Sequence, residues 1–307
     1  MDIDKDLLVR FENGLDPRNP QDSEISATIL GYGEISAIFQ IGDHADIAYK
    51  RMPLFADCGA AETYEKQYYE YCGRLKDAGL TIPPHKTVIV QIPGRPVVIY
   101  IAQAKLPVDC FVHKLIHTLD SEKINTVLER VVAEIEKIWC FNHARRSVLE
   151  LAIDGQLSNW VWLENGGDAE LLYIDTSTPL YRKKGVEQLN PELLLQSAPS
   201  FLRWIIRLFF LKDVMNRYYD PRLVYMDLAG NLFKEQRHDL IATAVDIINR
   251  CGSSSINPLR DDEVEKYYKE DKIIWALFLG FRRIDRWLKT RILRKRYEFM
   301  LPGKIER

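Results

Sequence analysis

Between positions 25 and 104, apolar residues come in short runs of β character separated by turn residues. "EISATIL" (24–30) alternates weakly, "EISAIFQI" (34–41) is rich in β-type residues, and "DIAYKRM" (46–52) is a further short run. "GYG" separates the first two. "TVIVQI" (87–92) and "VVIYIAQ" (97–103) flank "PGRP" and read as a hairpin. Among these runs, "GAAETYEKQYYEYCGRLKD" (59–77) predicts a helix that stops at Gly79. Beyond residue 103 the pattern changes. Residues 121–146 predict a long amphipathic helix, because Ile124, Val127, Leu128, Val131, Val132, Ile135 and Ile138 recur at three- and four-residue spacing. "VWLENGGDAELLYI" (161–174) predicts a second hairpin turning at Asn165, Gly166 and Gly167. From about 190 to 299 the pattern is helical.

This order predicts an α+β chain of two lobes: a small antiparallel β lobe with one helix, then a larger, mostly helical lobe. The expected divisions are an N-terminal extension at 1–24, the β lobe at 25–103 and the helical lobe at 104–307. The helical lobe carries a hairpin segment at 150–178 and a basic amphipathic helix near its end.

Composition narrows the classes of function. The chain has 307 residues and a formal net charge of −2, so no global field favours nucleic acid. Its five cysteines, Cys58, Cys72, Cys110, Cys140 and Cys251, are scattered and odd in number, which fits reduced thiols better than a disulfide framework. The acidic start "MDIDKDLLVRFENG" lacks an apolar signal core. "FLRWIIRLFFL" (201–211) is too short, with two arginines, to span a bilayer. A cytoplasmic location is expected.

Two carboxylates and a carboxamide stand at the ends of apolar runs: Asp154 and Asn159 in "LAIDGQLSNWVWL", and Asp175 after "LLYI". Turn chemistry alone accounts for any one of them. Together with the upstream lobe they form a larger set. Phosphoryl transfer needs positioning and charge neutralisation more than covalent chemistry. Gly31 and Gly33 in "GYGEIS" offer a turn that can approach phosphates, with Ser36 at the place of a third glycine. Lys50 in "IAYKR" offers a cation on a strand. Its neighbour Arg51 points to the opposite face and is expected to meet solvent. Glu62, Glu65 and Glu70 are candidates to hold Lys50 from the helix. Stepping back from Leu75 through Cys72 and Tyr68 selects Glu65.

"GYGEIS", Lys50 in "AYK", the acidic helix, the link "YIAQAKLP", "DGQLSN" and "YID" together resemble the protein-kinase-like superfamily, most closely its aminoglycoside and choline phosphotransferase branch. The resemblance covers about residues 25–180. It implies a two-lobed protein-kinase-like fold using ATP and Mg²⁺. It also implies that Asp154 handles the proton of the attacking hydroxyl, that Asn159 and Asp175 hold the metal, and that Gly31, Gly33, Ser36, Lys50, Glu65 and Gln103 serve the nucleotide. The implied activity is phosphotransfer to a hydroxyl of a polar small molecule. The chain departs from the family at three places. Ala152 stands where the family has His, "DTS" continues from the metal-binding Asp, and the third loop glycine is Ser36. These departures keep open a pseudokinase that binds nucleotide or a partner without turnover.

Other features are read more plainly. His113 and His117 lie one helical turn apart without an evident third ligand, so surface or cleft-rim positions are expected rather than zinc. "CGSSSINP" (251–258) reads as a loop. Aromatics with Asp213, Asp220 and Asp227 in segment 201–228 suggest a cleft for a cationic or polyhydroxyl acceptor. The segment 281–296 interleaves Arg282, Arg283, Arg286, Lys289, Arg291, Arg294, Lys295 and Arg296 with Phe281, Ile284, Trp287, Leu288, Ile292 and Leu293. The expectation is a final helix whose apolar stripe packs on the helical lobe, with acidic residues 261–271 as internal partner. Contact with an anionic membrane surface or an acidic partner is the alternative.

Overall fold

The computed structural model describes residues 1–302, apart from positions 34, 146–147, 166–167, 210 and 253–255. Helix α1 (Lys5–Gly14) is capped by Asp4, whose carboxylate accepts the Leu7 amide. Strands β1 (Ala27–Tyr32), β2 (Ala37–Ile41) and β3 (Ile47–Phe55) follow, then α2 (Cys58–Asp77), β4 (His85–Val90) and β5 (Val97–Ala104). The five strands form one antiparallel sheet in the order β1-β2-β3-β5-β4, which puts β3 in the middle. Asp57 caps α2, and Gly79 beyond its end adopts φ +92°, a conformation that favours glycine.

The second lobe begins with a short helix α3 (Val112–Leu115) and the long α4 (Ser121–Arg145). Next come β6 (Leu149–Leu151), the hairpin β7 (Trp160–Asn165) with β8 (Asp168–Tyr173), and β9 (Tyr181–Lys183) with β10 (Val186–Glu187). Helices α5 (Glu192–Gln196), α6 (Arg203–Phe209), α7 (Leu211–Arg217), α8 (Pro221–Lys234), α9 (Ile241–Cys251) and α10 (Asp261–Trp287) complete it. The two lobes are those the pattern predicts. The hairpin pairs Trp160 with Tyr173, although its turn glycines 166 and 167 lie outside the described residues. Residues 253–255 of the expected loop lie outside them as well.

The central sheet is covered on both faces. On the cleft side, Met52, Ile99 and Ile101 belong to a core that runs through α2 into the helical lobe. On the outer side, Leu8 and Phe11 of α1 pack with Phe39, Tyr49 and Tyr100. This outer cover overturns the expectation for Arg51. The residue does point opposite to Lys50, but it is 1% exposed rather than solvated. Its Nε and Nη2 donate to the Glu12 carboxylate at 2.7 Å, and it also bonds the carbonyl and carboxylate of Glu298. The C-terminal segment thus returns from the helical lobe to the β lobe, with Tyr297, Met300 and Leu301 buried.

The stripe of α10 is also the reverse of the expectation. Arg282 and Asp285 are buried, whereas Ile284 and Trp287 are about half exposed. Asp285 draws this face inward by accepting from Ser200 and pairing with Lys289 at 2.8 Å. Residues 261–271 lie on the same continuous helix as 281–287, so at 1.5 Å per residue the acidic stretch is roughly 15–30 Å from the basic end along the axis and cannot pair with it. Among the described residues, no helix is long and apolar enough to cross a membrane.

Candidate active site

Lys50 sits in the middle strand, paired with Ile38 on one side and Ile101 on the other, so its backbone is fixed by two ladders. Its Nζ reaches across the cleft to Asp175 Oδ1 at 3.1 Å and to Ser177 Oγ at 2.9 Å. Ser177 Oγ donates in turn to the same carboxylate oxygen at 3.1 Å. Both charged side chains are largely shielded, with 12% and 27% exposure. Residues far apart in sequence meet here because β3 and the end of β8 face one another across the junction of the lobes.

The segment after β8 is held by groups from the β lobe. Tyr64 on α2 donates to the Ser177 carbonyl at 2.7 Å, and Tyr68 bonds Thr176 Oγ1 at 3.3 Å. Gln103, at the end of β5, donates to the Ile174 carbonyl at 3.3 Å and to Thr176 Oγ1 at 3.2 Å. Gln103 therefore ties the inter-lobe link to the "DTS" segment.

Glu65 does not hold Lys50. It accepts from the Thr87 hydroxyl on β4 instead. The physical reason is the step chosen along the helix. The inward track runs Leu75, Tyr71, Tyr68 and Tyr64, in steps of four, three and four, all buried, and Glu65 lies one residue round from it. Glu70 pairs with Lys183 and Arg74, and Glu62 is exposed. Among the described residues, α2 thus presents tyrosines rather than a carboxylate toward Lys50.

Asp154 lies in the loop between β6 and β7, where its Oδ1 accepts the Gln156 amide at 3.0 Å. Asn159 donates through Nδ2 to the Asp154 carbonyl at 3.2 Å, and its own carbonyl accepts the Ile174 amide at 3.0 Å. One short chain of bonds therefore links Asp154, Asn159 and the residue preceding Asp175. The loop is braced without a histidine. Tyr71 donates to the Ala152 carbonyl at 2.8 Å, the Tyr173 hydroxyl accepts the Asp154 amide at 3.3 Å, and Asn142 pairs with both backbone groups of Leu151. Burial, together with the nearby Asp175 and Asp154 charges, pushes the Tyr71 and Tyr173 pKa values well above the ordinary phenol range, so both remain protonated.

Two glycines differ in what they require. A Cβ on Gly33 would stand 2.6 Å from Ser36 Oγ, and the Gly33 amide donates to the Ser36 carbonyl at 3.0 Å, so the turn is closed by a buried serine. A Cβ on Gly31 would meet Ile38 at 3.5 Å, an ordinary contact. Glu34 of the same turn lies outside the described residues. Gly155, which sequence reasoning passed over, is tighter: a Cβ there would approach Val224 at 2.9 Å and Ile135 at 3.3 Å. That packing seats the Asp154 loop on α4 and α8.

On the presumed acceptor side the acidic residues do not line a cleft. Asp227 is held by the Tyr267 hydroxyl at 2.8 Å, with burial raising its pKa. Asp220 caps α8 by accepting the Arg222 and Leu223 amides, and Asp213 is exposed on α7. Basic groups also stand near the loop. Lys234 Nζ lies 3.5 Å from Gln156 Oε1, and α8 also reaches the loop through Asn231, which accepts the Leu157 amide. His113 on α3 has its pKa lowered to about 4, by burial first and then by the charges of Lys114, Lys234 and His117. No residue pattern in the sequence marks Lys234, because its place depends on how α8 docks.

The donor set suits a hard divalent cation that arrives with its substrate. Asp175 offers a carboxylate and Asn159 a carboxamide oxygen, two ligands of the kind Mg²⁺ combines with phosphate oxygens. Among the described residues there is no group of three or more His, Cys, Asp or Glu able to hold a metal ion by themselves.

A family model described as "Family of unknown function (DUF6206)" matches residues 16–286. A comparison with curated proteins finds no match. Among solved structures, the chain is similar to "WaaP in complex with acyl carrier protein", with a TM-score of 0.35, 11% identity, and coverage of 86% of this chain and 95% of that one. It is also similar to a GDP and kanamycin complex of APH(2")-IIia, with a TM-score of 0.33, 10% identity, and coverage of 75% and 94%.

Proposed function

The chain belongs to the family of unknown function DUF6206, and from that premise we propose that it is an ATP- and Mg²⁺-dependent phosphotransferase acting on a hydroxyl of a polar small molecule. The observation that carries this reading is the convergence of Lys50 and Asp175, 3.1 Å apart, with the bonded chain from Asp154 through Asn159 to Ile174.

In this reading Lys50 leaves its contact with Asp175 to take phosphate oxygens, and Asp175 and Asn159 supply oxygen ligands to Mg²⁺. When bound there, Mg²⁺ would supply charge neutralisation for the transferring group. Asp154 orients the acceptor hydroxyl and accepts its proton. Ala152 removes no reactive group, because Tyr71, Tyr173 and Asn142 already brace the loop.

One observation favours the silent alternative. Lys50 has no carboxylate from α2 beside it, and Tyr64 and Tyr68 fill that face. A nucleotide-binding protein without turnover would tolerate this. An ATP-consumption screen over sugars, amino alcohols, aminoglycosides, nucleosides and their acidic derivatives, with Asp154→Ala as the blank, separates the two. Turnover above the blank supports the enzyme. ATP binding without turnover on any acceptor supports the silent protein. Phosphorylation of a protein substrate alone overturns the small-molecule reading.

A further inference from the structure

The outer face of α10 is apolar where a soluble helix would be polar. Ile273, Ile274, Leu277, Ile284 and Trp287 are spaced along it and remain 49–65% exposed. The stripe continues past the helix end in Ile292 and Leu293, both 57% exposed. The segment leading into helix α6 touches α10. Phe201, just before it, packs edge-on against Phe281 at 6.1 Å, and Ser200 bonds Asp285. Trp204 and Leu208 of α6 are themselves exposed. Scattered exposed apolar residues need no explanation, but a row of this length along one helix marks a surface for another phase or molecule.

The charge around the stripe selects what it meets. Arg283, Arg291, Arg294 and Lys295 are exposed at its C-terminal end. Asp285, the acidic residue within this stretch, is buried and already paired with Lys289. The other acidic residues of α10 lie in its N-terminal part, in 261–271. Tryptophan beside arginine and lysine, on a helix with an exposed apolar stripe, is the composition of an element that lies in the plane of a bilayer interface. We propose that the outer face of α10 seats this protein on an anionic phospholipid membrane, with Trp287, Ile284 and Leu277 entering the headgroup boundary and Arg291, Arg294 and Lys295 meeting lipid phosphate and carboxylate groups.

This inference is independent of phosphotransfer, and its test uses no nucleotide. The intact protein is co-sedimented with vesicles of pure phosphatidylcholine and with vesicles containing about a third phosphatidylserine, at low and high salt. Binding to the anionic vesicles, weakened by salt, is expected. Arg291→Gln, Arg294→Gln and Lys295→Gln combined should weaken it on the order of 10²-fold, at about fivefold per basic residue. Leu277→Ser with Trp287→Ser should weaken binding even at low salt, while circular dichroism stays unchanged because both residues are exposed. Equal binding to both vesicle types, or binding untouched by either variant, overturns the proposal. So does a stable dimer in light scattering that the Leu277→Ser and Trp287→Ser variant dissolves, together with absence of vesicle binding. That result would make the stripe a contact between two copies.

Discussion

Replacing Glu12 by Gln should destabilise the protein far more than a surface exchange of the same kind. Glu12 is fully buried, and its two oxygens accept from Arg51 at 2.7 Å each. It also accepts from Tyr100 and Arg95. The substitution keeps the shape, removes the charge and turns an amide N–H₂ toward guanidinium donors. Removing one partner of a buried ion pair costs about 3–5 kcal/mol. Glu298 remains 3.0 Å from Arg51 and compensates in part, so about 3 kcal/mol is expected. That is on the order of 10²-fold in the folding equilibrium, at about 1.4 kcal/mol per tenfold. Urea unfolding followed by circular dichroism measures it. Asp16→Asn, which breaks an exposed pair with Arg18, should leave the midpoint unchanged. Glu12→Gln combined with Arg51→Met should cost less than the two single changes added, because both act on one network. The pH dependence follows from the same cluster. Burial works to raise the Glu12 pKa, but Arg51, Tyr100 and Arg95 outweigh it and hold the carboxyl below the usual range. Its contribution is therefore complete above that range and is lost as the pH falls through the lowered value. The wild type should lose stability on acidification more steeply than Glu12→Gln. A Glu12→Gln midpoint equal to wild type at neutral pH would refute the assignment of this cluster as the lock between α1, β3 and the C-terminal segment.

Three further outcomes are expected. Asp154→Asn should reduce turnover by at least about 10²-fold while leaving Mg·ATP affinity nearly unchanged, as measured by initial rates beside calorimetry. Gly33→Ala should weaken nucleotide binding through the 2.6 Å clash with Ser36 Oγ, and adding Ser36→Ala should restore much of it in the same titration. Tyr71→Phe leaves the buried Ala152 carbonyl without its donor and should cost about 1–3 kcal/mol in urea unfolding.

What could be read from the sequence was local. The runs at 87–92 and 97–103 became β4 and β5, and the periodic stretch from 121 became α4, because each needs only its own period to be recognised. Asp154, Asn159 and Asp175 can be picked out as candidates for the same reason, since each adjoins an apolar run. The errors arose wherever a distant segment decides. Arg51 reads as a surface residue until residues 12 and 298 arrive to cover it. Asp227 reads as a cleft acid until Tyr267 of α10 bonds it. Glu65 and Tyr64 differ by one position on a helix, and the sequence pattern does not separate a three-residue step from a four-residue step. The stripe of α10 reads as inward-facing from its amphipathic pattern, whereas Ser200 and Lys289 hold Asp285 in the buried position and turn the apolar residues out.

Direct binding tests whether Lys50 and Asp175 form the proposed Mg·ATP site. Calorimetric titration of the intact protein with ATP in excess Mg²⁺, supported by thermal unfolding, should give saturable binding. Stabilisation should approach about 2.7 kcal/mol at a hundredfold excess over Kd. Lys50→Ala and Asp175→Ala should each weaken that binding strongly, and omission of Mg²⁺ should affect Asp175→Ala less than wild type. No binding at millimolar Mg·ATP, or equal affinity in wild type and both variants, would contradict the account.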